Sequence, residues 1–433
     1  MRTYLSFFFS FILSSSLLFA GLAHAVEIPA GELDRLSQAL HENTADPVKL
    51  LSSEEKLILE ATLSLQGKHL KQTLKLVEQA KQPDPLLAVI KAEAYRQLAI
   101  QAVAQAGSYG QILQQQRVRL EAVDLSSGLA EAQTRLGALA EKLDGRRGLP
   151  RDVLQLGEST RNIFIVDKSR SRLSIYSMNP QGKLVRNTDE YVVTGTIDGD
   201  KQIKGDKRTP NGVYRFVQRL NDPALHARYG PVAFPIDYPN ALDALHHKTG
   251  SGIWMHGYRQ NISRRAPQDT LGCFALPNKR LLEVAKDVHI HHSWVLIGEE
   301  IVYGDDDARI ALRDSVKSSV ASWAKAWSSR DHAHYIDHYD THFKHKKFNL
   351  KGWSRYKKRV NGNKSYIRVK LSDMTLIHDP HRWAEGEVVV AEFAQNYESS
   401  NLNSTGRKRL YLTRPDAKSP WKILIEESVP AHG

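Results

Sequence analysis

The 433-residue sequence has a single cysteine, Cys273. One thiol cannot close an intrachain disulfide or build a cysteine-based zinc finger, so burial must hold the fold, and Cys273 is either packing or a reagent. No phosphate-cradling glycine loop is present, which argues against a nucleotide cofactor. After residue 25 no run approaches 18 consecutive apolar residues, so no later segment reads as a membrane span. Acidic residues are in the minority, 48 against 60 Lys plus Arg, giving a formal charge of +12. That excess favours anionic partners. A hydrophobic share of 41% is enough for packed cores and excludes wholesale disorder. The length suggests two or three domains.

Residues 1–25 read MRTYLSFFFSFILSSSLLFAGLAHA. Arg2, an uncharged apolar stretch and Ala23-His24-Ala25 make the layout of a cleavable secretory signal peptide. Export to the periplasm is therefore expected, and it demotes nucleic acid as the anionic partner. It also places a lone thiol where thiols tend to be paired or oxidised.

Three compositions follow, and the fold expected is multidomain. Residues 26–150 are rich in Leu, Ala, Gln and Glu, and predict an all-α domain of four to six helices. Ser52 to Glu55 is a capping-box pattern. Leu70, Leu74 and Val77, and then Ile90, Ala94 and Leu98, recur at helical spacing. Gly107, Gly110 and Gly128 are read as interruptions, and residues 144–150 as a linker. Such an arm suits packing or dimerisation, so a homodimer is an expectation. Residues 158–303 hold short β-branched runs, at Asn162–Asp167, Arg172–Met178, Glu190–Thr194, Val213–Val217 and Trp294–Ile297, with one helix over 279–288, and predict a mostly β domain. Residues 306–433 predict an α+β domain. Its expected helices cover 309–327 and 333–343, the second carrying Tyr335, Tyr339 and Phe343, and its four strands lie near 366–377, 387–397, 408–413 and 421–426.

The chemistry concentrates at Ile253-Trp254-Met255-His256-Gly257 and Thr270-Leu271-Gly272-Cys273-Phe274-Ala275. A short strand would deliver His256 at its end. Glycines beside His256 and Cys273 let backbone approach a substrate closely. A thiol needs a base or a cation to act as a nucleophile near neutral pH, and His256 is the base nearest in sequence. Amides around Gly272 and Cys273 could form an oxyanion hole. The helix after Pro277-Asn278 would turn its positive end toward this loop and favour a thiolate.

This HG and T-x-G-C arrangement resembles the catalytic domain of YkuD-type L,D-transpeptidases. The resemblance extends to Gly205-Asp206-Lys207-Arg208-Thr209-Pro210-Asn211-Gly212-Val213-Tyr214, to Tyr229-Gly230-Pro231, to Asp237-Tyr238-Pro239 and to the strand near Trp294. It implies peptidoglycan stem peptides as substrate, Cys273 attacking the carbonyl of an L,D peptide bond, and His256 as base and then acid. Thr270 would shape the loop and Gly257 line the substrate. An amine acceptor would complete transpeptidation; water would complete carboxypeptidase or amidase chemistry. Many members carry Arg two residues after the cysteine, where this chain has Ala275, in a GCFAL form more like the branch of cell-shape L,D-carboxypeptidases and of the enzyme that detaches lipoprotein from peptidoglycan. Lipoprotein-linked peptidoglycan is thus a further partner to weigh, and Arg259, Arg264 or Arg265 would be the replacement clamp. The C-terminal domain resembles the NTF2-like fold. A binding scaffold without catalysis is the rival reading.

Residues 341–370 contain eleven Lys or Arg and no Asp or Glu, interleaved with Trp353, Tyr356 and Tyr366, and read equally as a polyanion-binding face or as a solvated one. The histidines at 289, 291 and 292 and at 332 and 334 lack the carboxylate spacing of a zinc site, so no metal is expected. Asp305 to Asp307 read as a linker or cap.

Overall fold

The computed structural model describes residues 30–42, 46–49, 51–105, 125–143, 148–221, 225–260, 262, 265–304 and 306–429. The leader at 1–25, Gly107, Gly110, Arg264, Asp305 and most of the linker lie outside the described residues.

The N-terminal unit is helical: Ala30–Glu42, Asp46–Lys49, Ser53–Gln66, Leu70–Val77, Pro85–Gln105 and Ser126–Leu143. Ser52 caps the third helix by accepting the Glu55 N–H at 3.1 Å. Asp84 does the same for the fifth, accepting from Leu86 and Leu87, with Pro85 opening the helix where no N–H is required. Ile58, Ala61, Leu65, Leu70, Ile90 and Ala94 form its core. Gly128 does not interrupt a helix. It lies in the first turn of Ser126–Leu143, where an added Cβ would sit 2.8 Å from Val89 Cγ1, so the glycine allows two helices to close on each other.

The central unit is built on a five-stranded sheet in the order Leu184–Tyr191, Arg172–Met178, Asn162–Asp167, Ser293–Gly298, Gly212–Arg215. Asn162–Asp167 and Ser293–Gly298 are buried along their whole length and pair in parallel, which is why they read as continuous apolar runs. A smaller three-stranded sheet carries Phe274–Ala275, Trp254–His256 and Ala233–Pro235. The helix expected over 279–288 is shorter, Asn278–Val284.

The C-terminal unit lays the helix Asp306–Ser329 against a seven-stranded sheet. Val316, Val320, Trp323 and Trp327 face that sheet, as their spacing predicts. The expected helix over 333–343 is not one element. It stops at Asp337, and Tyr339–His345 is a strand parallel to Lys422–Val429. Tyr335, Tyr339 and Phe343 suit a helical stripe equally well, but the Tyr339 hydroxyl bonds the buried Glu426 carboxylate at 2.8 Å, and sheet pairing overrides local spacing. The basic run also hides a helix, Leu350–Gly362, capped by Asn349.

Several features join the central and C-terminal units. Val153–Gln155, which precedes the central sheet, pairs with Ile367–His378 and so belongs to the C-terminal sheet. Trp294 lies between the guanidinium groups of Arg215 and Arg409, which are 3.9 and 5.0 Å from its ring centre. Both arginines, with Arg407, bond the fully buried Glu392. Burial alone would raise the Glu392 pKa, but the three guanidinium groups outweigh it and hold the carboxylate below its ordinary value.

His378 sits at the same seam, 2.6 Å from Asp152. Burial opposes its charge, yet the hydrogen bond to Asp152 and the nearby Glu387 raise its pKa from 6.5 to about 9. A raised histidine pKa contributes stability that is complete below pH 6.5 and is lost as pH rises through about 9. Thermal melts should therefore decline across that window. His378→Gln should flatten the decline, with a difference of at most about 3 kcal/mol at neutral pH; equal slopes for both proteins would refute the assignment.

Candidate active site

The strands Trp254–His256 and Phe274–Ala275 pair in parallel, with Met255 beside Phe274 and His256 beside Ala275. The pairing brings Cys273, one residue before the second strand, alongside the first. His256 is buried. Its Nδ1 lies 2.6 Å from the Gly257 carbonyl, which can only accept, so Nδ1 carries the hydrogen and Nε2 keeps its lone pair. The Tyr229 ring packs against the imidazole edge-on at 5.1 Å and lies tilted against Trp254, with ring centres 4.7 Å apart. Burial lowers the His256 pKa to about 4, against the Gly257 carbonyl and with the fields of Arg265 and Arg228. The imidazole is thus neutral near pH 7 and fit to accept a proton.

Burial pushes the Cys273 thiol up, opposed by a backbone hydrogen bond from Trp254 and by Arg228, Lys201 and Arg265. The resting group is a thiol donating to the Gly252 carbonyl at 3.4 Å. The sequence expectation of a thiolate favoured by the following helix is not met. That helix has only seven residues and no side-chain cap, and burial is the larger effect.

The turn before the cysteine is held from two sides. Thr270 Oγ1 donates to the Cys273 carbonyl at 2.5 Å and accepts the Gly272 N–H at 3.2 Å. Thr209 Oγ1 donates to the same carbonyl at 3.4 Å and accepts the Gly195 N–H. The 205–212 loop is tied in turn by Asp206, which accepts from Lys201 Nζ at 2.6 Å and from the amides of Gln202, Ile203 and Arg208. These bonds overcome burial and lower its pKa to about 2. Gly272 is required here: its φ is +120° and a Cβ would stand 2.9 Å from the Arg208 carbonyl.

The expected site residues differ in what their groups already bond. Gly272 is not an available oxyanion donor, because its amide is engaged by Thr270; the Gly257 amide likewise bonds the Tyr229 carbonyl at 2.9 Å. Arg259 is exposed, and among the described residues no hydrogen bond or ion pair ties its side chain to Cys273 or His256. Of the three arginines considered, Arg265 is placed where its charge reaches both, held by Asp269 at 2.9 Å. Sequence pattern alone did not single out Arg228 or Lys201, nor the role of Thr209 in the cysteine turn. Arg228 adjoins Tyr229-Gly230-Pro231 and Thr209 lies inside the glycine-rich motif, so each had a local signal. Among the described residues no group of three His, Cys, Asp or Glu could hold a metal, and His332 instead bonds Ser354.

The L,D-transpeptidase catalytic domain model matches residues 161–301, and the Cds6 C-terminal NTF2-like domain model matches 315–427. The helical cell shape determining protein Pgp2 from Campylobacter jejuni is 30% identical, with a TM-score of 0.55; the match covers 66% of this chain and 97% of that one. The chain belongs to the L,D-transpeptidase family. A point mutant of Pgp2 is 29% identical over 69% of this chain and 99% of its own, with a TM-score of 0.55. Bd1075 of Bdellovibrio bacteriovorus is 28% identical over 66% and 99%, with a TM-score of 0.57. No curated protein matches the chain. The L,D-transpeptidase and NTF2-like matches leave the helical domain outside both, and the multidomain layout of helical, mostly β and NTF2-like units agrees with them.

Thr270→Val removes both bonds of the turn and should cost roughly 1–3 kcal/mol, measured by urea unfolding, whereas Thr270→Ser should keep most of the stability. Equal losses for both variants would count against the hydroxyl.

Proposed function

We propose that this L,D-transpeptidase-family enzyme is an exported, periplasmic cysteine hydrolase that trims or releases peptidoglycan stem peptides at an L,D bond. The observation that carries the reading is Cys273 held beside a buried, neutral His256 whose Nε2 is free to take a proton. Cys273 Sγ attacks the carbonyl as its proton passes to His256 Nε2. The Cys273 N–H is the candidate donor to the oxyanion, with Arg228, Lys201 and Arg265 lending positive field. His256 then protonates the leaving amine and a thioester remains on Cys273. Water, activated by His256, hydrolyses it.

Water is preferred to an amine acceptor because position 275 is a buried alanine, paired with Val193 and lying beside His256. Position 275 itself supplies no cation to clamp a second, carboxylate-bearing strand. The Pgp2 relative is a cell shape determining protein, and the same role is proposed here. The leader at 1–25 supports the periplasmic assignment, and the helical arm leaves homodimerisation as part of the proposal.

Purified enzyme should convert a tetrapeptide muropeptide to the tripeptide without an amine acceptor, read by mass, and Cys273→Ala should abolish this. A new cross-link or D-amino-acid exchange would overturn hydrolysis in favour of transfer. Release of a lipoprotein-linked stem would assign the amidase branch, and no turnover of any substrate would favour a binding scaffold. The acid limb of kcat/KM should fall near pH 4, where His256 becomes protonated, rather than near 6.5.

A further inference from the structure

Among the described residues the helical domain meets the catalytic domain at the Tyr191 edge, and that edge leads to the cysteine. Arg135, on Ser126–Leu143, is buried. It bonds Glu131 on its own helix at 2.7 Å and Glu55, in the first turn of Ser53–Gln66, at 2.6 Å. Its guanidinium also lies 4.8 Å from the ring centre of Tyr191 in the catalytic domain. Beside that contact Arg280 bonds Glu190, and Lys279 lies 3.9 Å from Glu54. Two helices of the arm therefore converge on the Tyr191 edge.

Tyr191 is buried with Val193, Tyr258 and Ala275. Its hydroxyl donates to the Arg265 carbonyl at 2.9 Å. Arg265 opens the segment that runs through Gln268–Thr270 to Cys273, and its guanidinium, paired with Asp269, lies 5.6 Å over the Tyr258 ring. Val193 and Ala275 exchange backbone hydrogen bonds at 2.8 and 2.9 Å, which ties the same edge to the strand beside His256.

We propose that the helical domain is a positioning element for the active site: Arg135 clamps the Tyr191 ring, and the Tyr191 hydroxyl fixes the Arg265 segment beside Cys273. The proposal rests on Cys273 being the reactive group but not on which reaction follows. The charged groups around the thiol are Arg228, Lys201 and Arg265, and Asp269 tempers the last of them. Releasing Arg265 removes one cation from this set, so the thiol should become harder to ionise.

The test uses the full chain and two readouts that need no substrate: the rate of Cys273 alkylation by iodoacetamide against pH, and hydrogen exchange of the backbone at 265–273. Tyr191→Phe keeps the ring beneath Arg135 and removes only the hydroxyl. It should speed exchange at 265–273 and slow alkylation at pH 8 by about threefold, the equivalent of half a pH unit. Arg135→Gln should do the same from the other domain. The double variant should be no slower than the worse single one, because both act along one path. If Arg135→Gln loosens the helical domain itself, the readout on Cys273 still decides, since loss of the brace is then complete. Wild-type alkylation and exchange in Tyr191→Phe would overturn the proposal. So would an Arg135→Gln protein whose changes stay within the helical domain.

Discussion

The parallel pairing of two very short strands, Trp254–His256 and Phe274–Ala275, is the constraint on which the site depends. Seventeen positions separate His256 from Cys273 in sequence, and nothing local would hold them together. The register does so, and the cost of so short a ladder is offset by what encloses it. Met255, Phe274 and Leu276 are buried in the catalytic core, and the Thr270 and Thr209 hydroxyls fasten the turn that enters the second strand. Position 272 must be glycine because the Arg208 carbonyl occupies the space of a side chain.

Enclosure also sets the electrostatics. The same burial lowers the histidine pKa and raises that of the thiol, so the resting pair is neutral. An uncharged pair is inexpensive to bury. Arg228, Lys201 and Arg265 act on the thiol through the field their charges set. The glycine-rich motif at 205–212 serves the site in this indirect way: its threonine and its Arg208 backbone support the cysteine turn, while Asp206 holds the loop closed.

The catalytic and NTF2-like units are fastened by more than a linker. A strand that leads into one domain completes the sheet of the other, and Trp294, Arg215, Arg409 and Glu392 form a buried cluster across the seam. A buried carboxylate with three guanidinium partners tolerates little displacement, because separating any of them leaves an uncompensated charge. That argues for a rigid pair of domains, with the pH response of His378 as its soft point.

The sequence alone determined the features whose signals are local. Asn162–Asp167 and Arg172–Met178 are strands at the boundaries their β-branched pattern predicts, Ser52 caps the helix it should, and the glycine-flanked His256 and Cys273 stood out from residue type and spacing. Local signals misled where two periods agreed with one pattern: Tyr335, Tyr339 and Phe343 fit a helix, and only the partner strand Lys422–Val429 decided otherwise. They were silent where function depends on approach from far along the chain. Tertiary structure alone set the Thr209 hydroxyl on the Cys273 carbonyl, left Arg259 in solvent while placing Arg228 and Lys201 within electrostatic reach of the thiol, and set Arg135 over Tyr191. The physical reason is that a residue type limits which bonds it can make, whereas packing and desolvation choose which of them are made.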